Sequence, residues 1–297
     1  MPRSLPRSSS FAWIAVAYAA GLAAAWVSAR AVGPSHHVLF VAAVADLAAT
    51  FAVFAFSVAF DNTSVYDPYW SVAPLAIAPY YALRPEAAGA PFARKILILS
   101  LVAFWGIRLT YNWARGFSGL GHEDWRYVDI RQKTGRAYWP ASFFALQLMP
   151  TVMVFLGCLP LWPALTSTAP LGLGDAVATV VTLGAILVEA IADEQLRAFR
   201  RTKREKGQIM TTGLWAYSRH PNYFGEISFW WGLFLFALAG GRENYWSGAG
   251  ALAITLLFVF ASIPLLEKRS LAGRPEYADH RKRVSVLVPW FPRRDVR

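Results

Sequence analysis

Four carboxylates stand where long uncharged runs give way to basic segments: Glu189, Asp193, Glu226 and Glu267. An ionisable side chain in or beside a bilayer costs several kcal/mol, so each is a site hypothesis in its own right. Glu189, Asp193 and Arg197 follow one another at i, i+4 and i+8 and share one face of a helix. A row of carboxylates ending in a guanidinium can hydrogen-bond ribose hydroxyls, an amide or an adenine edge; its bland counterpart is an i, i+4 salt bridge. The most informative segment runs from Gly213 to Glu226 and carries Tyr217, Arg219, His220, Asn222 and Tyr223. Pro221 disfavours helix at His220 and suits the first turn of a helix, where free N–H groups and the dipole favour an anion. Arg219 adds a fixed positive charge, and Gly213 and Gly225 permit close backbone approach, so the segment reads as a cradle for phosphate or carboxylate. Two further charges fall within apolar runs, Asp46 and Arg108. Asp46 reads first as a helix-packing carboxyl, and Arg108 either as a site residue or as an arginine that snorkels to headgroups.

The elements that must hold these residues are set by composition. With 56% hydrophobic and 16% charged residues and a mean hydropathy of +0.36, the chain lies far from a soluble domain, of which about a quarter is charged. Eight mostly apolar segments are expected: Phe11 to Ala29, Val38 to Phe60, Tyr69 to Leu83, Ile96 to Trp113, Ser142 to Leu161, Ala176 to Ala192, Ile227 to Ala239 and Trp246 to Leu266. They lack the alternation of barrel strands, so each is expected to be helical. The expected fold is all-α, a single polytopic membrane bundle over 1–297 with seven or eight transmembrane helices. It divides functionally into a substrate-side half, 61–174, and a cofactor-side region, 175–297. Most of the 29 Lys and Arg residues fall on one side of these spans, which places the C-terminus in the cytoplasm of a bacterial inner membrane. Arg3, Arg7 and the following apolar run also fit a signal peptide, but Ser8 to Ala29 is longer than a usual signal core, and a retained first helix is expected. The lone Cys158 excludes an intramolecular disulfide and any cysteine cluster, and no metal site is expected.

The segment from Gly213 to Glu226, with Ala192-Asp193-Glu194-Gln195 before it and Glu267-Lys268-Arg269-Ser270-Leu271 to Pro289-Trp290-Phe291-Pro292 after it, resembles the C-terminal domain of steroid 5-alpha-reductases, in the bacterial branch catalogued as domain of unknown function 1295. Asp67-Pro68-Tyr69-Trp70-Ser71, Arg131 to Gly135 and Tyr138-Trp139-Pro140 resemble that branch too. The resemblance implies a membrane reductase that takes hydride from NADPH and saturates the C=C of an enone in a lipid-soluble, steroid-like or isoprenoid substrate. It implies cofactor contacts for Asp193, Tyr217, Asn222 and Glu226. Glu189 matches a position that is Asn in the steroid enzymes. Asp67 matches their carbonyl-activating acid, and Trp105 and Arg108 fall on a Tyr and an Arg. An indole donates only through its N–H, so either Tyr66 or Tyr69 supplies the phenol or the substrate is not a 3-oxo-steroid. Lys268, Tyr277 and Arg281 are expected to help close the cofactor pocket. Arg197, Arg200, Arg201, Lys203 and Arg204 are candidates for its phosphates.

The same Arg-His-Pro-Asn-Tyr-Phe-Gly segment is similar to isoprenylcysteine carboxyl methyltransferases, which hold S-adenosylmethionine with such a loop and a late Glu. That resemblance implies methyl transfer as the alternative activity. A transporter is a third reading, from the prolines at Pro74, Pro79, Pro150 and Pro264, but the charges gather at one face of the membrane and no inverted repeat is visible. Nucleic acid is not expected as a partner despite the net charge of +11, because the basic residues lie where topology already requires them; membrane lipids are. Trp70, Trp105, Trp113, Trp230 and Trp231 are expected chiefly in the interfacial belt.

Overall fold

A computed structural model of the chain describes residues 5–202 and 207–293. Among the described residues there is no strand, only an isolated parallel bridge between Ser218 and Ser285. The helices are α1 (Arg7–Val32), α2 (Val38–Ala59), α3 (Tyr69–Ala82), α4 (Phe92–Gly116), α5 (Trp125–Thr166), α6 (Leu173–Arg201), α7 (Pro221–Gly240), α8 (Arg242–Gly273) and a short α9 (Tyr277–Arg283). Six of them, α1, α2, α5, α6, α7 and α8, are long and apolar enough to cross a bilayer. The protein is an all-α polytopic membrane bundle.

The remaining two positions are occupied by α3 and α4. At 14 residues, α3 reaches only about 21 Å, and α4, though 25 residues long, carries Arg94, Lys95, Arg108 and Arg115. The connection into α3 makes up for its shortness. Asn62, Thr63, Ser64, Val65 and Tyr66 are all buried, because Asn62 donates to the carbonyls of Leu120 and His122 and Thr63 hydrogen-bonds Tyr138 and Ser142. A connecting segment this polar is stable inside a bundle only when its groups are paired in this way.

The pair α6 and α7 forms the most extensive helix contact, and small residues set its spacing. A Cβ on Gly225 would lie 2.7 Å from Glu189 Cβ and 2.8 Å from the Ala185 carbonyl oxygen, and Gly232 packs in the same way on Thr182. Close approach of this kind is a common basis of helix association in membranes. Gly225 therefore serves helix packing and not, as the sequence suggested, approach to a ligand. Gly213 has φ +62° and lies against the Gln195 amide, so it too is committed within the protein.

Candidate functional site

Helix α7 begins at Pro221, its first residue, with His220 as an N-cap whose side chain makes no capping bond. The predicted helix start is thus present, and it stands at the bundle end where α4 and α6 finish and α5 begins. Three polar clusters surround it.

The first is centred on Glu226, one turn into α7 and 5% exposed. Its Oε1 accepts from the indole N–H groups of Trp70 at 2.7 Å and Trp230 at 2.9 Å. Its Oε2 accepts from Trp105 at 2.9 Å. Trp105 also stacks on Phe229, with centroids 4.3 Å apart and planes 7° apart. Trp105 and Trp230 are fully buried, so these indoles line a carboxylate inside the bundle and are not members of the interfacial belt.

The second cluster joins α4 to α6. Arg108 reaches Glu189 at 2.6 Å and Asp193 at 2.9 Å, Asn112 donates to the same Asp193 oxygen at 2.9 Å, and Asn222 hydrogen-bonds Asp193 from the start of α7. The face shared by Glu189 and Asp193 is therefore turned to Arg108 and not to an i+4 partner, and Arg108 points inward, not to headgroups. Arg197, one turn further on, meets the Asn112 carbonyl and Glu194. Beyond it Arg200 lies within electrostatic reach of Arg197 and Arg274. A gathering of guanidiniums is repulsive on its own and is relieved by an anion. Lys203 and Arg204 fall outside the described residues.

The third cluster is organised by Glu267, 5% exposed at the end of α8. Arg219 contacts it at 2.6 Å and Arg281 at 3.1 Å. Tyr277 Oη is 3.5 Å away, as is His220 Nε2. Arg219 also donates to the carbonyls of Arg281 and Val284, which fastens α9 and the C-terminal segment over the loop before α7. Tyr217 is half exposed and meets Phe291 edge to face, Tyr223 lies flat on His220 with centroids 5.5 Å apart, and Lys268 is exposed. Burial, reinforced by the charge of Arg219 and opposed by Glu267, pushes the His220 imidazole down to about 4. A base whose pKa falls on folding contributes stability that is complete above its unfolded value near 6.5 and is lost as pH falls toward 4. The full effect is about 3 kcal/mol. The melting temperature of the wild type is expected to fall more steeply between pH 6.5 and 4 than that of His220→Gln, measured by circular dichroism in detergent; parallel curves would contradict the assignment.

The expected carbonyl acid, Asp67, sits at the end of the buried 3-10 turn Thr63–Tyr66, three residues before Trp70. Its Oδ1 accepts from Tyr127 Oη at 2.6 Å. Burial pushes the Asp67 carboxyl up to about 6, against the pull of the Tyr127 hydrogen bond and of Arg126. Tyr66 and Tyr69, expected as phenol donors beside it, direct their hydroxyls elsewhere, Tyr66 to Thr151 at 2.5 Å and Tyr69 to Asp46 at 2.6 Å. The phenol that meets Asp67 is Tyr127, 60 residues downstream in a basic segment, where no local pattern links the two.

The family model described as "Protein of unknown function (DUF1295)" matches residues 53–284. The chain belongs to the DUF1295 family. Every candidate site residue described above lies within the DUF1295 match, whereas α1, most of α2 and Asp46 precede it. DUF1295 is a membrane family related to steroid 5-alpha-reductases. A Schizosaccharomyces pombe relative, "Uncharacterized protein C594.04c", is 26% identical over 251 residues, covering 77% of this chain and 73% of that protein. No solved structure matches significantly.

Proposed function

We propose that this DUF1295 protein is a membrane-embedded reductase that takes hydride from NADPH and saturates a C=C conjugated to a carbonyl in a lipid-soluble substrate, with the basic end of the bundle facing the cytoplasm of a bacterial inner membrane. The observation that carries the reading is the juxtaposition of two donor sets at that end. Arg200 stands within electrostatic reach of both Arg197 and Arg274, and of Asp193, which is hydrogen-bonded by Asn112 and Asn222. The first set fits phosphates and the second fits sugar hydroxyls or a carboxamide, the two kinds of group that a nicotinamide dinucleotide presents together.

When bound, NADPH supplies the hydride. As hydride reaches the β-carbon, negative charge gathers on the carbonyl oxygen, and a preorganised donor there is worth roughly 3–4 kcal/mol. Asp67 holds a proton for this role in the acid range, since its carboxyl is pushed up to about 6. Tyr127, donating to Oδ1 at 2.6 Å, orients the group, and Ser64 hydrogen-bonds it as well. Turnover of an enone lipid is accordingly expected to fall as pH rises through about 6. Asp67→Asn is expected to lower turnover roughly 100-fold, and an unchanged rate would remove Asp67 from the reaction.

The reading is tested by thermal stabilisation of the detergent-purified chain with NADPH, NADH and S-adenosylmethionine. A ligand at a hundred times its Kd stabilises the folded state by about 2.7 kcal/mol. Stabilisation by NADPH, lost in Arg197→Ala/Arg200→Ala, supports the reductase. Stabilisation by S-adenosylmethionine alone overturns it in favour of methyl transfer, in which the loop of Arg219 and His220 converging on Glu267 would hold the methyl donor.

A further inference from the structure

A cavity of about 820 Å³ lies between α1, α2 and α3 and is separate from the clusters around Glu226. Tyr69 lines the cavity and Trp70 binds Glu226, so α3 is the wall between the two. The cavity walls are mostly Ala, Gly, Val, Leu and Ile together with the rings of Tyr18, Trp26, Tyr69 and Tyr80, with Arg30 and Arg84 at one end. One polar side chain interrupts the apolar stretch on α2. Asp46 is 6% exposed. Its Oδ1 accepts from Tyr69 Oη, while the buried Oδ2 has no partner in the protein.

We infer that this cavity is a second binding site, for a neutral lipid alcohol whose hydroxyl pairs with Asp46 Oδ2. A buried carboxyl oxygen in hydrocarbon surroundings is costly unless something satisfies it. The volume falls in the range of ligand sites, about 300–1,000 Å³, and the walls accept hydrocarbon. The two guanidiniums at one end disfavour a cationic ligand, and the carboxyl itself disfavours an anionic group beside it. A neutral molecule with a single polar group remains. A hydroxyl both donates and accepts, so it pairs with Asp46 in either protonation state, whereas a ketone needs the acid and an amine the carboxylate. Because bilayer chains compete for the apolar walls, the hydrogen bond to Asp46 must supply the selectivity.

The test uses the full-length protein in phosphatidylcholine nanodiscs and a long-chain alcohol carrying a photoreactive diazirine, with crosslinks mapped by peptide mass spectrometry. Crosslinks on α1, α2 and α3 are expected, and unlabelled farnesol should compete roughly tenfold better than the saturated hydrocarbon farnesane, as expected for one hydrogen bond within a membrane. Ala45→Phe, which places a ring in the cavity beside Asp46, should strongly reduce these crosslinks, and Asp46→Leu should weaken labelling to the level of the hydrocarbon. Equal competition by alcohol and hydrocarbon, or undiminished labelling in Ala45→Phe, would overturn the proposal. If Asp46→Leu fails to fold, the competition in the wild type and the Ala45→Phe result still decide. Neither variant touches the clusters at Arg108 or Glu226, so the outcome is independent of whether the protein is a reductase.

Discussion

Glu226→Gln is expected to destabilise the protein by about 2–3 kcal/mol, although it changes a single atom. The carboxylate accepts from three indoles at once, Trp70 and Trp230 on Oε1 and Trp105 on Oε2. A glutamine has one carbonyl oxygen, whose two lone pairs serve Trp70 and Trp230, and an amide nitrogen that then meets the Trp105 N–H donor to donor. Turning the amide over only moves the conflict to the other two indoles. Trp105→Phe placed in the Glu226→Gln background removes the opposed donor and keeps an aromatic ring against Phe229, where the indole now stacks at 4.3 Å between centroids. The double variant is therefore expected to recover at least half of the loss, while Trp105→Phe alone is destabilising. Such coupling of neighbours is what a double-mutant cycle isolates. Thermal unfolding in detergent, followed by circular dichroism, reads all four corners. Additive effects would show that the three indoles do not act through Glu226.

Much of this arrangement was legible from the sequence, and the limits were physical. Uncharged runs specify membrane helices because lipid offers peptide groups no partners, and each expected segment contains helix. Pro221 marks the start of α7 because it lacks the N–H that an interior position needs. The i, i+4 spacing places Glu189 and Asp193 on one face, but nothing local says that the face meets Arg108, 85 residues before Asp193. The tryptophans were assigned to the interface because that is where tryptophan is enriched in membrane proteins. The i, i+4 relation of Glu226 to Trp230 was nevertheless available as a hint. The resemblance singles out Asp67, but the buried turn before it depends on partners at Leu120, His122, Tyr138 and Ser142, which are tertiary. Arg94 stands near the start of an expected apolar segment, and its type and position alone give it no structural role. Its structural role depends on Asp175, which apolar patterning alone does not pair with it.

Arg94→Leu is expected to cost about 3–5 kcal/mol, the range for breaking a buried ion pair from one side. The guanidinium is fully buried. Its Nε and Nη2 bind the two Asp175 oxygens at 2.7 and 2.9 Å. Nη1 donates to the Ala169 carbonyl at 2.8 Å and Nη2 to that of Pro170 at 3.1 Å. Asp175 in turn accepts from the Gly172 N–H at 2.9 Å and so closes the first turn of α6. Leucine would leave a buried carboxylate and two carbonyls without these donors. Lysine would restore the charge but not the two-pronged geometry, so Arg94→Lys is expected to recover only part of the stability. The double variant Arg94→Leu/Asp175→Leu should be less damaging than Arg94→Leu alone, because it removes the stranded charge as well as the pair. The pair lies about 21 Å along α4 from Arg108, at 1.5 Å per residue. On the proposed reading, the protein that remains folded should therefore gain the same stabilisation from NADPH as the wild type does. A loss of ligand response in the folded fraction of Arg94→Leu would show instead that the two ends of α4 are coupled.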